Sequence, residues 1–345
     1  MSATQGVQFG LWYSFRNPAQ WPADYADLYQ AHLRQIAWAE TIGYHDVWLT
    51  EHHFCADGHA PSILPLAAAV AATTERIRIG TGVLLLPLHD AVRVAEDCAT
   101  IDILSRGRFE LGVGIGYRPQ EFAGLGRDTR DRATLIDEGL EIIRRLWEGE
   151  TVDFDGKHYQ LHGLRLSPPP VQRPRPPLWV GGFAPAAAKR AARLADGYIG
   201  TADMIEQARI FRDEWQRLGR PGRGRLAGGH FWLIVSRDPA RTFAAVAPHV
   251  RYQIEVYNEW LKDAGQALFP AIESPQDLQR LGILNCVTPT EAVDLISAYV
   301  EATGIERYYC WTVPPGYPVE RMNEHLALFA DEVMPHFRAT LKIAA

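Results

Sequence analysis

The sequence predicts an α/β protein built as a single (β/α)8 TIM barrel over residues 1–345, with insertions after the fourth helix and after the seventh strand. Three observations carry this. Short β-rich runs alternate with helical patterns almost from end to end. The alternation yields eight strands. No long stretch reads as hairpins alone, which points to parallel strands joined by right-handed crossovers. An open doubly wound sheet is the rival, and it typically has fewer strands than eight.

Val7–Ser14 reads as the first strand, and Leu28, Leu33, Ile36 and Ala37 then recur at helical spacing. Val47–Thr50 is the second strand and Ile63–Thr73 a small-residue helix. Ile77–Leu86 is a strongly apolar third strand, followed by a helix through Val94, Cys98 and Ile101. Arg108–Ile115 is the fourth strand. In the next helix Ile136, Leu140, Ile143 and Trp147 share one apolar face.

Residues 149–177 are rich in Pro and Gly without helical period, and read as a small hairpin and extended connector. Leu178–Gly181, Tyr198–Thr201 and Phe231–Ser236 are strands five to seven. Residues 237–287 are the least regular stretch and read as a loop. Thr288-Pro289-Thr290-Glu291 fits a capping box with proline at the first helical position. Tyr308–Val313 is strand eight, and Met322, Leu326, Phe329 and Val333 stripe the closing helix.

A net charge of −6 argues against nucleic acid or an anionic membrane as the main partner, because both demand a basic surface. Cys55, Cys98, Cys286 and Cys310 are far apart and form no CxxC pair, so a reducing compartment is the default. Met1–Phe9 lacks the regions of a signal peptide, and no run is apolar enough to span a membrane. The expectation is a cytoplasmic enzyme.

Active sites of such barrels lie at the C-terminal ends of the strands. That rule selects Trp12 and Tyr13, then Glu51, His52 and His53, then Gly82 and Val83. It continues with Gly114 and Gly116, Gly181 and Gly182, Thr201, and finally Trp311 and Thr312. Glu51-His52-His53 is the strongest group. Imidazoles titrate near neutral pH, and three ionisable groups at one strand end are costly to desolvate. A hydrogen-bonded structural cluster is the alternative. A metal site on His52, His53 and His59 ranks last, because adjacent strand residues face opposite ways; no metal is expected.

Gly112, Gly114 and Gly116 leave three same-face positions bare, against which a flat ligand could lie, although tight barrel packing explains them as well. Gly181-Gly182 running into a helix near Pro185 suits a phosphate on free backbone N–H groups, or simply a tight turn. Trp12, Tyr13 and Trp311 fall on strands one and eight, neighbours once the barrel closes. They could wall an apolar pocket.

As a set these residues resemble the bacterial luciferase-like flavin monooxygenases. The similarity runs through IGYHDVWLTEHHF at 42–54, IRIGTGVLLLP at 77–87, LSRGRFELGVGIGYRPQEF at 104–122 and the segment 149–182. The resemblance implies the barrel fold and reduced flavin mononucleotide, or in one branch a deazaflavin, at the strand C-termini. It implies a catalytic role for His52, with Glu51 and His53 beside it, and a flavin face of Gly82, Val83, Gly114, Gly116 and Tyr117. Gly82-Val83 falls where the family has a non-prolyl cis peptide, and 237–287 where it has a mobile loop. In luciferase an arginine on strand four and Ser and Thr side chains after strand five hold the phosphate. Here Ile115, Ala184 and Ala187 stand there, so the phosphate would rest on the amides of Gly182, Phe183 and Ala184 at the turn after Gly181, with Arg118 or Arg190 nearby.

The implied activity is that of a two-component monooxygenase. It would use O2 and reduced FMN from a separate flavin reductase, since no Rossmann unit is visible, and act on a small apolar or aromatic substrate. A deazaflavin-dependent oxidoreductase and a non-catalytic flavin-binding or partner subunit are the alternatives. Family resemblance also implies a homodimer, for which the helix at 61–73 is suited.

Overall fold

A computed structural model describes residues 6–200 and 204–338. Eight parallel strands close into a barrel. They are β1 (Gln8–Tyr13), β2 (Asp46–Leu49), β3 (Arg78–Thr81), β4 (Phe109–Gly114), β5 (Leu178–Gly181), β6 (Gly197–Ile199), β7 (Arg225–Gly228) and β8 (Arg307–Trp311). Each pairs with the next, and β1 pairs with β8 through Trp12 opposite Trp311.

The barrel interior is filled by large side chains rather than left hollow. Trp48 on β2 lies opposite Gly80 on β3, where a Cβ would come within 2.3 Å of the indole. A buried ionic layer closes the N-terminal end. Arg307 Nη1 donates to Glu110 Oε2 at 2.7 Å, and Trp179 Nε1 donates to the same oxygen at 2.7 Å. Burial alone would raise the Glu110 carboxyl, but Arg307 and Arg78 outweigh it and hold it at about 2.

The helices wrap the barrel: α1 (Tyr25–Thr41), α2 (Ile63–Thr73), α3 (Ala91–Leu104), α4 (Arg132–Trp147), α5 (Pro185–Leu194), α6 (Ile205–Arg217), α7 (Pro239–Asp263), α8 (Pro289–Thr303) and α9 (Asn323–Glu332). Local chemistry sets their ends. Asp90 caps α3 by accepting from the N–H groups of Val92 and Arg93. Thr288 and Glu291 form a capping box on α8, whose last turn closes on Gly304 at φ 67°. Val152–Asp155 and Gln160–Leu164 make an antiparallel hairpin between α4 and β5.

Three expectations change. The seventh barrel strand is Arg225–Gly228, not Phe231–Ser236. Trp232–Val235 is a strand, but it pairs in parallel with Leu284–Val287 outside the barrel. Residues 237–287 are not irregular: α7 runs for 25 residues from Pro239, started by the Asp238 cap and continuing through Pro248. The apolar run Ile77–Leu86 is broken, with β3 ending at Thr81 and Leu84–Leu85 pairing separately beside β4. The expected strand end at Thr201 lies outside the described residues. Among the described residues no helix is long and apolar enough to cross a membrane.

Candidate active site

The end of β2 sends its ionisable residues in different directions. The Glu51 carboxylate is buried and accepts the Leu85 N–H at 2.7 Å. Its Oε1 bonds His53 Nε2 at 2.6 Å and His89 Nε2 at 2.6 Å. Burial would raise this carboxyl, but the two imidazoles outweigh it and bring it down to about 2. Burial disfavours charge on His89, yet the bond to Glu51 prevails and raises its pKa above the ordinary histidine value.

His52 belongs to a separate unit. Its Nδ1 lies 2.9 Å from Glu121 Oε1, on the short helix Pro119–Gly124. That oxygen also accepts the His53 N–H at 2.9 Å and Arg118 Nη1 at 3.1 Å. Burial pushes Glu121 up, and the bonds from His52, His53 and Arg118 more than reverse it. An ionised carboxylate only accepts, so Nδ1 of His52 carries the proton and Nε2 is the nitrogen left to act on a ligand. Around the ring stand Trp260 at 4.9 Å between centroids, His59 at 4.9 Å and Tyr117 at 5.6 Å. Arg118 stacks on the same Trp260, 4.2 Å from its centroid.

The Gly82–Val83 peptide is cis. Trp12 Nε1 donates to the Gly82 carbonyl at 2.8 Å, and the Trp12 ring stacks on Trp311 at 4.0 Å. Val83 sits between Gly114 and Gly181. A Cβ on either glycine would approach the valine methyls to 2.5 or 2.8 Å, so both must be bare for Val83 to fit. Gly112 is bare for a different reason: the Thr81 carbonyl occupies the space. Tyr13 does not join Trp12 and Trp311. Strand alternation turns it to the helix layer, where its hydroxyl donates to Gln35 on α1 at 2.8 Å.

On the far side of the same rim, Gly182 adopts φ 149°, a region that favours glycine, and its carbonyl accepts the Tyr198 hydroxyl. A Cβ there would fall 2.9 Å from Ala187. Ala184 caps α5 with no side-chain bond, and the Phe183 ring is exposed. Among the described residues, the N–H groups of Phe183 and Ala184 have no backbone acceptor. The turn therefore offers amides at the positive end of a ten-residue helix. Neither expected arginine reaches it freely. Arg190 pairs with Asp137 at 2.5 Å, and Arg118 is held by Glu121 and the His53 carbonyl. Ile115 packs against the core, and Gly116 turns at φ 73° beside Phe122.

Glu51, His53 and His89 bring three possible ligand atoms within 4.8 Å. Tetrahedral zinc ligands at their usual bond lengths stand about 3.3 Å apart, whereas these N···O separations of 2.6 Å are those of hydrogen bonds. His52 and His59 do not converge with His53 on one point, because His53 faces Glu51 while His59 Nε2 faces Thr50. The sequence did not point to Glu121, His89 or Trp260, and it pointed to Arg118 as a phosphate neighbour rather than as the partner of Glu121. The RPQEF run gave the only signal, a charge pair directly after the glycine strand.

A (β/α)8 barrel with an imidazole–carboxylate unit at its strand ends defines an oxidoreductase class once its relatives are considered. The sequence description of the luciferase-like monooxygenases matches residues 7–304, and the chain belongs to that family. It is 25% identical over 334 residues to the oxygenase component of the flavin-dependent trigonelline monooxygenase of Acinetobacter baylyi, covering 90% of each chain. It is 35% identical over 171 residues to an F420-dependent glucose-6-phosphate dehydrogenase of Amycolatopsis mediterranei, spanning 48% of this chain and 51% of that one. The fold superposes on the FMN complex of the oxygenating constituent of 3,6-diketocamphane monooxygenase, a type II Baeyer–Villiger enzyme of Pseudomonas putida. The TM-score there is 0.81 at 20% identity, covering 96% and 99% of the chains.

Proposed function

We propose that this protein is a monooxygenase of the two-component kind, using reduced FMN and O2 on a small organic substrate with an apolar or aromatic body. The carrying observation is His52, fixed by Glu121 after β2, the strand paired on one side with β1, which carries Trp12, and on the other with β3, which Gly82–Val83 follows. The oxygenase-component relative supports a separate flavin reductase as partner. Pairing of two copies through α2 belongs to the same reading, with native mass measurement as its check.

The residues present fit FMN. The turn after Gly181 presents the Phe183 and Ala184 amides, which lack backbone acceptors among the described residues, to a phosphate at the N-terminus of α5. Gly114, Gly116, Val83 and Tyr117 border the space for the ring. When bound, reduced flavin supplies the electrons that activate O2. His52 then holds or passes a proton through Nε2, while Glu121 keeps the ring in one tautomer. Trp12 and Trp311 give the substrate an apolar wall, and α7 covers the site and keeps water out.

Reconstitution with reduced FMN and O2 tests this. His52→Ala is expected to lower oxygenated product per flavin oxidised by about 10²–10⁴-fold; an unchanged yield would sink the role of His52. The F420-dependent relative and the lack of phosphate-binding side chains favour one second reading, hydride transfer with a deazaflavin. Tighter binding of the reduced deazaflavin, with turnover independent of oxygen, selects it. A non-catalytic flavin-binding subunit would show no turnover with either cofactor.

A further inference from the structure

Arg16 lies three residues beyond the end of β1, and its side chain is fully buried. Its Nε donates to Asp57 Oδ2 at 2.5 Å, and Asp57 is held in turn by the Tyr252 hydroxyl at 3.1 Å. Among the described residues no acceptor meets Nη1 or Nη2 in hydrogen-bond geometry, and the Tyr252 hydroxyl stands beside the guanidinium as well as beside Asp57. Three rings of α7 enclose the guanidinium, with Cζ 5.6 Å from the centroid of Tyr252, 5.5 Å from Tyr257 and 5.4 Å from Trp260. Aromatic faces attract the charge but satisfy no in-plane N–H. An unmet buried donor is costly, more so on a charged group, and native interiors hold few such groups. Here both terminal nitrogens of one guanidinium are unmet, so the site is built for an acceptor that comes from outside.

The surroundings agree. Burial first, and then the neighbouring His52 ring and the guanidinium groups of Arg16 and Arg118, hold His59 well below the ordinary histidine value, so the pocket disfavours a further positive charge. Trp260 borders both Arg16 and His52, which places the unmet donors along the same wall as the reacting side chain. The turn proposed for the FMN phosphate follows β5. In the closed barrel β5 lies four strands from β1 in either direction, so Arg16 and that turn lie on opposite sides of the same C-terminal rim.

We infer that Nη1 and Nη2 of Arg16 dock a carboxylate carried by the substrate, whose apolar or aromatic body lies along Trp260 and Tyr257 toward His52. A carboxylate presents two coplanar oxygens, the match for two parallel N–H groups. Asp57 is the positioning residue: it holds Nε and so fixes the plane of the fork. This inference rests on the proposed oxygenase reading and narrows its substrate to organic acids.

The test uses the FMN-loaded protein and two matched probe pairs, benzoate with benzamide and phenylacetate with phenylacetamide, followed by calorimetry. In the native chain the acid of at least one pair binds about tenfold or more tighter than its amide. Arg16→Gln abolishes the preference, Arg16→Lys keeps part of it, and FMN affinity stays within about twofold in both. Comparison of the probes on the native chain stands even if a variant fails to fold. Equal binding of acid and amide in both pairs overturns the proposal, as does a preference that survives Arg16→Gln. A selective loss of FMN over riboflavin binding in Arg16→Gln also overturns it, by making Arg16 a phosphate anchor. Failure of the native chain to bind FMN, with the acid preference intact in the free protein, overturns the flavin reading and leaves the anion site standing.

Discussion

His52 Nδ1 and Glu121 Oε1 meet at 2.9 Å across 69 residues of chain. The carboxylate is accepted into this buried place because Arg118 and the His53 N–H share its charge. Glu121 therefore acts through His52, by fixing its tautomer and aiming Nε2. Glu121→Gln leaves a neutral amide that can donate as well as accept, so the ring is no longer forced into one state. Turnover is expected to fall by about 10–100-fold, part of what a positioned proton donor or acceptor contributes. KM should change little, and Glu121→Asp should recover some of the loss. Steady-state kinetics on the three proteins check this; a loss confined to KM would remove the positioning role.

The Glu51–His89 contact makes a prediction about stability and pH. Glu51 titrates at about 2 in the folded chain and an unfolded glutamate at about 4.3. Its contribution is therefore present above pH ~4.3 and lost as pH falls toward 2. His89 is raised, so its contribution is present below about pH 6.5 and lost as pH rises through its folded value. Both act together between about pH 4.3 and 6.5. Glu51→Gln removes one partner of a buried pair and is expected to cost about 3 kcal/mol near pH 6. It should also flatten the pH dependence on both sides of that window. Denaturant unfolding from pH 3 to 9 measures it, and parallel curves for the two proteins would contradict the assignment.

The sequence showed the barrel because eight apolar runs of the right length recur with helices between them. It misplaced the seventh because RLAG follows RPGRG, a run whose glycines and arginines read as turn, while WLIV next to it is the more strand-like segment. The helix α7 was hidden by Pro248 and by polar residues on its inner face. Gln253 and His249 are buried there as partners of Trp232 and of the Pro315 carbonyl, not as solvent-facing positions. The candidate site was legible where chemistry and strand end coincide, at Glu51-His52-His53, Gly82 and Trp12. Its partners were not, because Glu121, His89 and Arg16 acquire roles only through folding that joins distant segments. Tyr13 was misread because adjacency to Trp12 in sequence is opposition across the strand.

Trp12 and Trp311 are indistinguishable in the sequence as aromatics at neighbouring strand ends, yet the structure gives them different work. Both rings are buried and stack at 4.0 Å. The Trp12 N–H donates to the Gly82 carbonyl at 2.8 Å, whereas the Trp311 N–H, also buried, has no acceptor among the described residues. Trp12→Phe keeps most of the stack but strands a buried carbonyl, and is expected to destabilise the fold by about 1–3 kcal/mol. Trp311→Phe removes a donor that is already unmet, so its cost is limited to lost ring area, about 1 kcal/mol or less. The order reverses for binding. An unmet indole N–H on the apolar wall is a donor for a ligand, so Trp311→Phe should weaken carboxylate or other polar ligands more than it weakens the fold. Paired denaturation and ligand titration on both variants decide the matter. Equal destabilisation by the two substitutions would mean that the Trp311 nitrogen already has a partner within the folded chain.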